Sequence, residues 1–278
     1  MESVCRGKRW DVILAERDGR VCGALPFLCG SKIGLHYVLQ PQMTMFTGPW
    51  LAADADDTVL DELMERMAAR RDAVAMLRCA PSFTVAAPFE RHGWLVTERS
   101  TWRLDPLRPL QEMMAEASQL RRRDFARNGE LLKVDYDVSP AELAALHEEQ
   151  YRRQGKRDLL DVDFMVHVAT DAMEHGNGVV AGVRDAAGAL QAAVFVAYDS
   201  RCAYLLLLAR SAGAPRNAMA YLVWRTAEWL TSRTEAFDFE GGAEPGVGDY
   251  YRSFGALQVP YLQLTHCRVP LVGKILGL

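Results

Sequence analysis

Apolar positions along the chain follow two periods. Alternation or short apolar runs cover Trp10 to Ala15, Val21 to Phe27, Ile33 to Leu39, Ala73 to Arg78 and Leu95 to Leu104, and these segments are predicted strands. Asp18-Gly19 joins the first two as a hairpin turn. Leu60, Leu63, Met64 and Met67 fall on one helical face. Pro41, Gly48 and Pro49 make 40–50 a loop, and Pro88 to His92 reads as a helical turn closed by Gly93. A second helical stripe, Leu110, Met113, Met114, Ala117 and Leu120, runs on through Arg121, Arg122, Arg123 and Arg127 until Asn128-Gly129 stops it.

Leu131 to Val138 is a predicted strand. Ser139, Pro140 and Glu142 then start a helix, and a further helix covers Asp161 to His175. Strands follow at Val179 to Arg184, Leu190 to Tyr198 and Cys202 to Ala209. A long helix over Arg216 to Arg233 precedes a strand at Glu235 to Glu240. A Gly-containing loop over 241–248, a short helix at Asp249 to Phe254 and a strand at Leu257 to His266 complete the series.

This order occurs twice. AVAML at 73–77 aligns with EAFDF at 235–239, FERHGW at 89–94 with YRSFGA at 251–256, and LVTERSTWRL with LQVPYLQLTH. A period of roughly 160 to 170 residues exceeds the roughly 20 to 50 of solenoids and predicts a duplicated domain instead. The copies span 1–108 and 109–278, with 109–128 as the connecting helix. The second copy carries a strand and two helices (131–175) for which the first has no counterpart, so the first is trimmed at its N-terminus.

Composition narrows the function. With 50% hydrophobic residues among 278, the chain has ample surface to bury, which excludes disorder as its main state. A net charge of -4 counts against a dedicated nucleic-acid binder, although a local patch at Arg121 to Arg127 with Arg152, Arg153, Lys156 and Arg157 remains; its ordinary reading is a solvated face. The six cysteines form no C-x-x-C pair and the six histidines show no metal-ligand spacing, so reduced, mostly buried thiols and no metal site are expected. MESVCRGKRWDV lacks the apolar core of a signal peptide, and AYLLLLA at 203–209 is too short to span a bilayer. A cytoplasmic protein is expected.

The segment DFEGGAEPGVGDYYRSFGA at 238–256 resembles the ending of FemAB-like proteins: an aspartate-aromatic strand end, a Gly loop, then an aromatic, a basic residue and Phe-Gly. Tyr251 to Gly255 is also similar to the Tyr-x-x-x-Gly ending of the GNAT acyltransferase superfamily. QPQMTMFTGPW at 40–50 resembles the Gly-Pro-ending loop of bacterial FemAB-like members. The resemblance spans 10–266. It implies an α/β chain (an α+β mixed sheet) of two GNAT-like domains in tandem, the first catalytically silent. It also implies an acyl donor held where two central strands splay apart, with donor phosphates at the following helix N-terminus. The implied donor signature is Gln/Arg-x-x-Gly-x-Gly/Ala. Here Arg210 and Gly213 match, Ala214 follows, and Pro215 occupies the last slot, removing an N–H. A shifted register would use Asn217 and Ala218 for close approach.

Acyl transfer to an amine needs a neutral amine, a polarised carbonyl and a proton for the leaving group. Tyr251 matches the family's proton donor; its counterpart in the first copy is Phe89, without a hydroxyl. Glu240, at a strand end facing Gly241-Gly242, is the candidate base, unless it caps that loop or pairs with Arg252. Asp238 and Arg252 are candidate acceptor-binding residues. The implied reaction moves an acyl group, such as acetyl from acetyl-CoA as co-substrate, to an amine on a small molecule, sugar or peptide. Two alternatives stay open: a FemAB-type transfer from aminoacyl-tRNA to a cell-wall precursor, and a non-catalytic scaffold.

Overall fold

The computed structural model describes residues 2–156, 160–242, 244 and 246–269. The chain divides into two compact units, Met1–Ser100 with Pro260–Leu278, and Thr101–Val259.

The first unit opens on the hairpin β1 (Arg9–Arg17) and β2 (Arg20–Lys32). β3 (Leu35–Leu39), a two-residue β4 (Trp50–Leu51), α1 (Asp57–Ala69), β5 (Val74–Arg78), α2 (Ala87–Glu90) and β6 (Leu95–Leu104) follow. β2 lies antiparallel between β1 and β3, and β3 runs parallel to β5. The next place beside β5 is filled by the chain's last strand, Leu257–Cys267, antiparallel, with Leu264 opposite Leu77. The α1 stripe buries Leu60, Leu63, Met64 and Met67 in one cluster with Leu25, Phe27 and Leu77. Each fully buried side chain of this kind is worth about 1.5–3 kcal/mol over exposure.

One strand starts later than the pattern predicts. β2 runs on to Lys32, and Ile33 and Gly34 make the turn into β3, with φ of 52° and 74°. Ile33 therefore stands at the hairpin tip, 92% exposed, instead of opening the strand. Two-residue turns of this hand favour Asn or Gly, and a β-branched residue at positive φ costs about 1–3 kcal/mol.

The second unit contains α3 (Leu110–Glu116), α4 (Gln119–Leu131), β7 (Lys133–Asp135), α5 (Pro140–Arg153), α6 (Val162–Glu174), β8 (Gly178–Arg184) and β9 (Leu190–Tyr198). It continues with β10 (Cys202–Arg210), α7 (Ala218–Leu230), β11 (Ala236–Asp238), α8 (Val247–Arg252) and the start of β12, the last strand already described. β7 to β10 pair antiparallel in sequence order, and β10 runs parallel to β11. The end of β6 closes this sheet antiparallel to β11, with Leu104 opposite Phe237.

Both mixed sheets thus repeat one order of pairings: antiparallel, antiparallel, parallel, antiparallel. Each takes its closing strand from the other half of the sequence. The match predicted from the strand and helix endings reaches single residues. Phe89 and Tyr251 sit in matching short helices, both buried, and Gly93 and Gly255 follow with φ of 78° and 83°. The additional β7, α5 and α6 belong to the second unit alone, and α5 starts at the expected Ser139 cap, which forms a capping box with Glu142.

The connecting segment departs from expectation. One helix over 110–128 becomes two, because Ser118 breaks the stripe and caps α4, accepting from the Arg121 N–H. α4 then runs past Asn128-Gly129 to Leu131. The buried Asn128 amide donates to the carbonyls of Asp124 and Arg216, which ties a usual breaker into the helix. The strand expected from Leu131 shrinks to Lys133–Asp135.

Candidate active site

The site residues gather at one end of the second unit's sheet. β10 and β11 pair only over Cys202–Tyr204 and Ala236–Asp238. β10 continues to Arg210 with β9 as its partner, while β11 has ended, so the two parallel strands part. Where they part, the β9–β10 register slips between Leu205 and Leu207. Leu206 is the extra residue of a bulge, and a bulge leaves backbone groups outside the ladder.

α7 starts beyond the loop that follows β10. Its N-cap residue, Asn217, sits at φ 62° and makes no side-chain cap. Its amide Nδ2 donates to Asp124 Oδ2 at 2.5 Å, and its Oδ1 accepts from Arg121 Nη1 at 3.4 Å. The helix start is therefore left with first-turn N–H groups and the positive end of its dipole. Arg121 is 8% exposed. Its Nε donates to Ser253 Oγ at 2.7 Å, and its guanidinium lies 4.5 Å over the Tyr250 ring and 5.2 Å over Phe254. Among the described residues no carboxylate lies within ion-pair distance of it.

The β11 side is built on a buried carboxylate. Asp238, fully buried, accepts from Thr101 Oγ1 at 2.5 Å, Arg103 Nε at 2.6 Å and the Glu240 N–H at 2.7 Å. Burial pushes its pKa up, against the pull of Arg103 and the Thr101 hydroxyl. Thr101 Oγ1 also accepts from the Gly241 N–H at 3.1 Å. This network fixes a turn in which Glu240 takes φ 55°. A side chain at Gly242 would meet the Trp102 ring at 2.4 Å, so only glycine fits there. Tyr251 packs on Phe239, ring centroids 4.5 Å apart, and is 8% exposed. Burial pushes its phenol up to about 12, with Tyr250 and Glu240 adding to the shift.

The sequence-predicted residues fall into three groups. Tyr251 and Glu240 lie on the β11 side of the opening. Asn217 and Ala218 lie at the α7 start, with Ala214 in the loop before it and an exposed Gly213 and Arg210 further back. Arg210 is tied by its backbone: its N–H donates to Gln150 and its carbonyl accepts from Arg153. In the loop itself, the Ala214 and Ala218 N–H groups are spent on the carbonyls of Ser211 and Pro215, and Pro215 offers none.

Asp238 does not reach an acceptor. Its oxygens are enclosed and engaged, and the positive φ of Glu240 ends the strand alternation that would have put both acids on one face. Its place is to support the loop. Arg252 is exposed and pairs with Asp249 at 2.8 Å. Arg121, read from the sequence as part of a solvated face, is a buried element of the site. The signal for it was the Met113–Ala117 stripe, whose next helical positions are Arg121 and Asn128. Arg157 of the same basic set lies outside the described residues.

Residues 115–251 match the family model described as an acetyltransferase (GNAT) domain. The structure is similar to that of FemX, with a TM-score of 0.78 at 10% identity, covering 97% of this chain and 90% of that one. Residues 115–251 thus form a GNAT-type domain, and the chain as a whole shares the fold of FemX. Similarity extends to L-PGS from Bacillus licheniformis, with a TM-score of 0.63, 13% identity, and coverage of 97% and 88%. A tandem GNAT protein from the clavulanic acid biosynthesis pathway follows at 0.56, with 14% identity and coverage of 94% and 83%. At these identities the likeness is one of fold. No curated protein matches the sequence. The parted strands, the bulge at Leu206 and the open helix start all belong to the second unit, which holds the GNAT-matched segment.

Proposed function

We propose that this protein is an N-acyltransferase whose active site is the opening between β10 and β11. The observation that carries this reading is the uncapped α7 start beside Arg121, a buried cation with no carboxylate partner among the described residues, next to a strand bulge. A phosphate of the donor would rest on the helix start and on Arg121, the residue best able to hold it in bidentate fashion. The acyl carbonyl would lie against backbone N–H groups near Leu206, which stabilise the oxyanion as the amine attacks. Glu240 would accept the amine's proton, directly or through water, and Tyr251 would donate to the leaving atom.

Acyl-CoA, acetyl-CoA first among them, is the donor most in keeping with a GNAT domain, with a small-molecule, sugar or peptide amine as acceptor and a cytoplasmic location. Two observations favour a second reading, an aminoacyl ester carried on tRNA. The loop before α7 spends or lacks several of the N–H groups that a pyrophosphate would need. A phenol near 12 also suits an oxygen leaving group, which needs a proton, better than a thiolate, whose ordinary pKa of about 8.5 lets it leave unprotonated.

Titration calorimetry of the whole chain with acetyl-CoA, free coenzyme A and aminoacyl-tRNA separates the readings. Saturable heat with either coenzyme supports the thioester donor. Heat with charged tRNA alone, falling steeply with salt, supports the ester donor. No binding of any of the three, and no transfer activity, overturns the proposal.

A further inference from the structure

The β2–β3 hairpin of the first unit carries a feature that acyl transfer does not use. Ser31 to His36 are all exposed, and Ile33 is the most exposed large apolar side chain among the described residues, with Leu35 beside it at 41%. Ile33 also holds a left-handed backbone that its branched side chain disfavours. It adds neither burial nor turn stability to the fold, and strain of this kind is a signature of function.

Basic side chains surround the stem of this hairpin. Lys8, Arg9, His36 and Arg70 line an open pocket of about 390 Å³ together with Ser31 and Tyr37. Lys8 lies over the Tyr37 ring and Arg70 over Phe27. Lys32 flanks the tip. Arg71 and Arg268 are exposed just before β5 and just after the last strand, where the Ala73 N–H donates to the His36 carbonyl and the Arg268 N–H to the Ala73 carbonyl. Asp11 lies 3.7 Å from Arg9, and the buried Asp72 lies 3.0 Å from Arg70. A protein with a net charge of -4 thus gathers Lys8, Arg9, Lys32, Arg70, Arg71 and Arg268 around one exposed apolar tip.

We propose that this hairpin is a docking site for an anionic phospholipid surface, with Ile33 and Leu35 entering the interfacial region and the basic pocket receiving a lipid phosphate. Apolar insertion and attraction to anionic headgroups reinforce one another in peripheral binding. A nucleic acid would use the cations but gain nothing from Ile33, and a neutral protein surface would gain nothing from the cations. The proposal is independent of the acyl-transfer reading and of the second unit.

The test is co-sedimentation of the full chain with vesicles of phosphatidylcholine alone and of phosphatidylcholine mixed with phosphatidylglycerol, at about 0.1 M salt. Binding is expected to the mixed vesicles and to be at least about tenfold weaker on the neutral ones. Ile33→Asn, which suits the turn better, should weaken binding about ten- to a hundredfold without lowering the thermal unfolding midpoint. Lys8→Glu with Lys32→Glu should reduce it about tenfold or more. Absence of binding to the mixed vesicles, equal binding to both kinds, or binding unchanged by Ile33→Asn would overturn the proposal. So would binding to total tRNA that Ile33→Asn leaves intact while vesicles are ignored.

Discussion

The two copies place a helix of equal length at the same point of the fold, and they finish its start differently. α1 of the first copy is capped by Asp56, whose carboxylate accepts from the Thr58 N–H. At the matching place before α7 stands Asn217, turned into left-handed backbone, with its amide committed to Asp124 and Arg121. A carboxylate at a helix start satisfies the free N–H groups and repels an incoming anion, whereas a withdrawn amide leaves both the groups and the dipole to a ligand. The same contrast recurs at the strand next to the closing one. Asp238 faces Arg103 across the second sheet, while Met76 faces Thr265 across the first. A buried ion pair is a weak source of stability compared with apolar packing. In the second copy it holds the Glu240 turn, and the first copy has no such turn to hold. Phe89 in place of Tyr251 completes the pattern: the phenol proposed as the proton donor stands in the second copy, and the matching position of the first has none.

Breaking the ion pair gives the largest expected effect. Asp238→Ala should destabilise the protein by about 3–5 kcal/mol in urea unfolding, because Arg103 is left buried without a partner. Thr265→Ala, at the first sheet's position matching Arg103, should cost no more than about 1 kcal/mol. Tyr251→Phe makes the second copy like the first at that position. Transfer activity should fall about 10²–10⁴-fold, with stability changed by less than about 0.5 kcal/mol. Equal activity in the variant would remove the chemical distinction between the copies.

Alkaline titration sharpens the same point. The Tyr251 phenol titrates near 12 when folded and near 10 when unfolded. The folded state therefore holds the proton more tightly. The resulting stability is present below pH 10 and is lost as pH rises from 10 to 12, by about 2 kcal/mol. Tyr251→Phe should show that much less alkaline loss in unfolding measurements across this window.

Asn217→Asp introduces the first copy's acid at the α7 start. The donor's dissociation constant should rise about tenfold, read by calorimetry, while helix stability is unchanged or slightly higher. Ile33→Asn, in the first unit, should raise stability by about 1 kcal/mol in thermal unfolding, since it relieves strain and exposes no new apolar surface.

Much of this was legible in the residue pattern. The strand endings, the helix–glycine endings and the loss of the phenol at Phe89 were readable because they are local and stand twice in one chain. The break at Ser118 was hidden, since a Ser at a helical stripe position competes with a capping geometry that only the packed neighbours select. Arg121 was hidden for a related reason. A run of arginines along a helix carries no mark of which one points inward, and the choice is made by Ser253, Asn217 and Tyr250, all remote in sequence. Asp238 was visible as a residue, but its role was not, because alternation places it on a face without saying that Thr101 and Arg103 enclose it there.

The sequence alone determined that there are two copies of one α/β unit, which helices are amphipathic, and which copy retains a phenol. Periodicity and duplication are properties of neighbouring residues, and they survive without any knowledge of packing. Tertiary structure alone decided that each sheet is closed by the other copy's last strand, that one helix start is stripped of its cap, and that the buried Arg121 stands beside it. Those facts depend on which distant side chains meet, and a linear pattern holds no record of that.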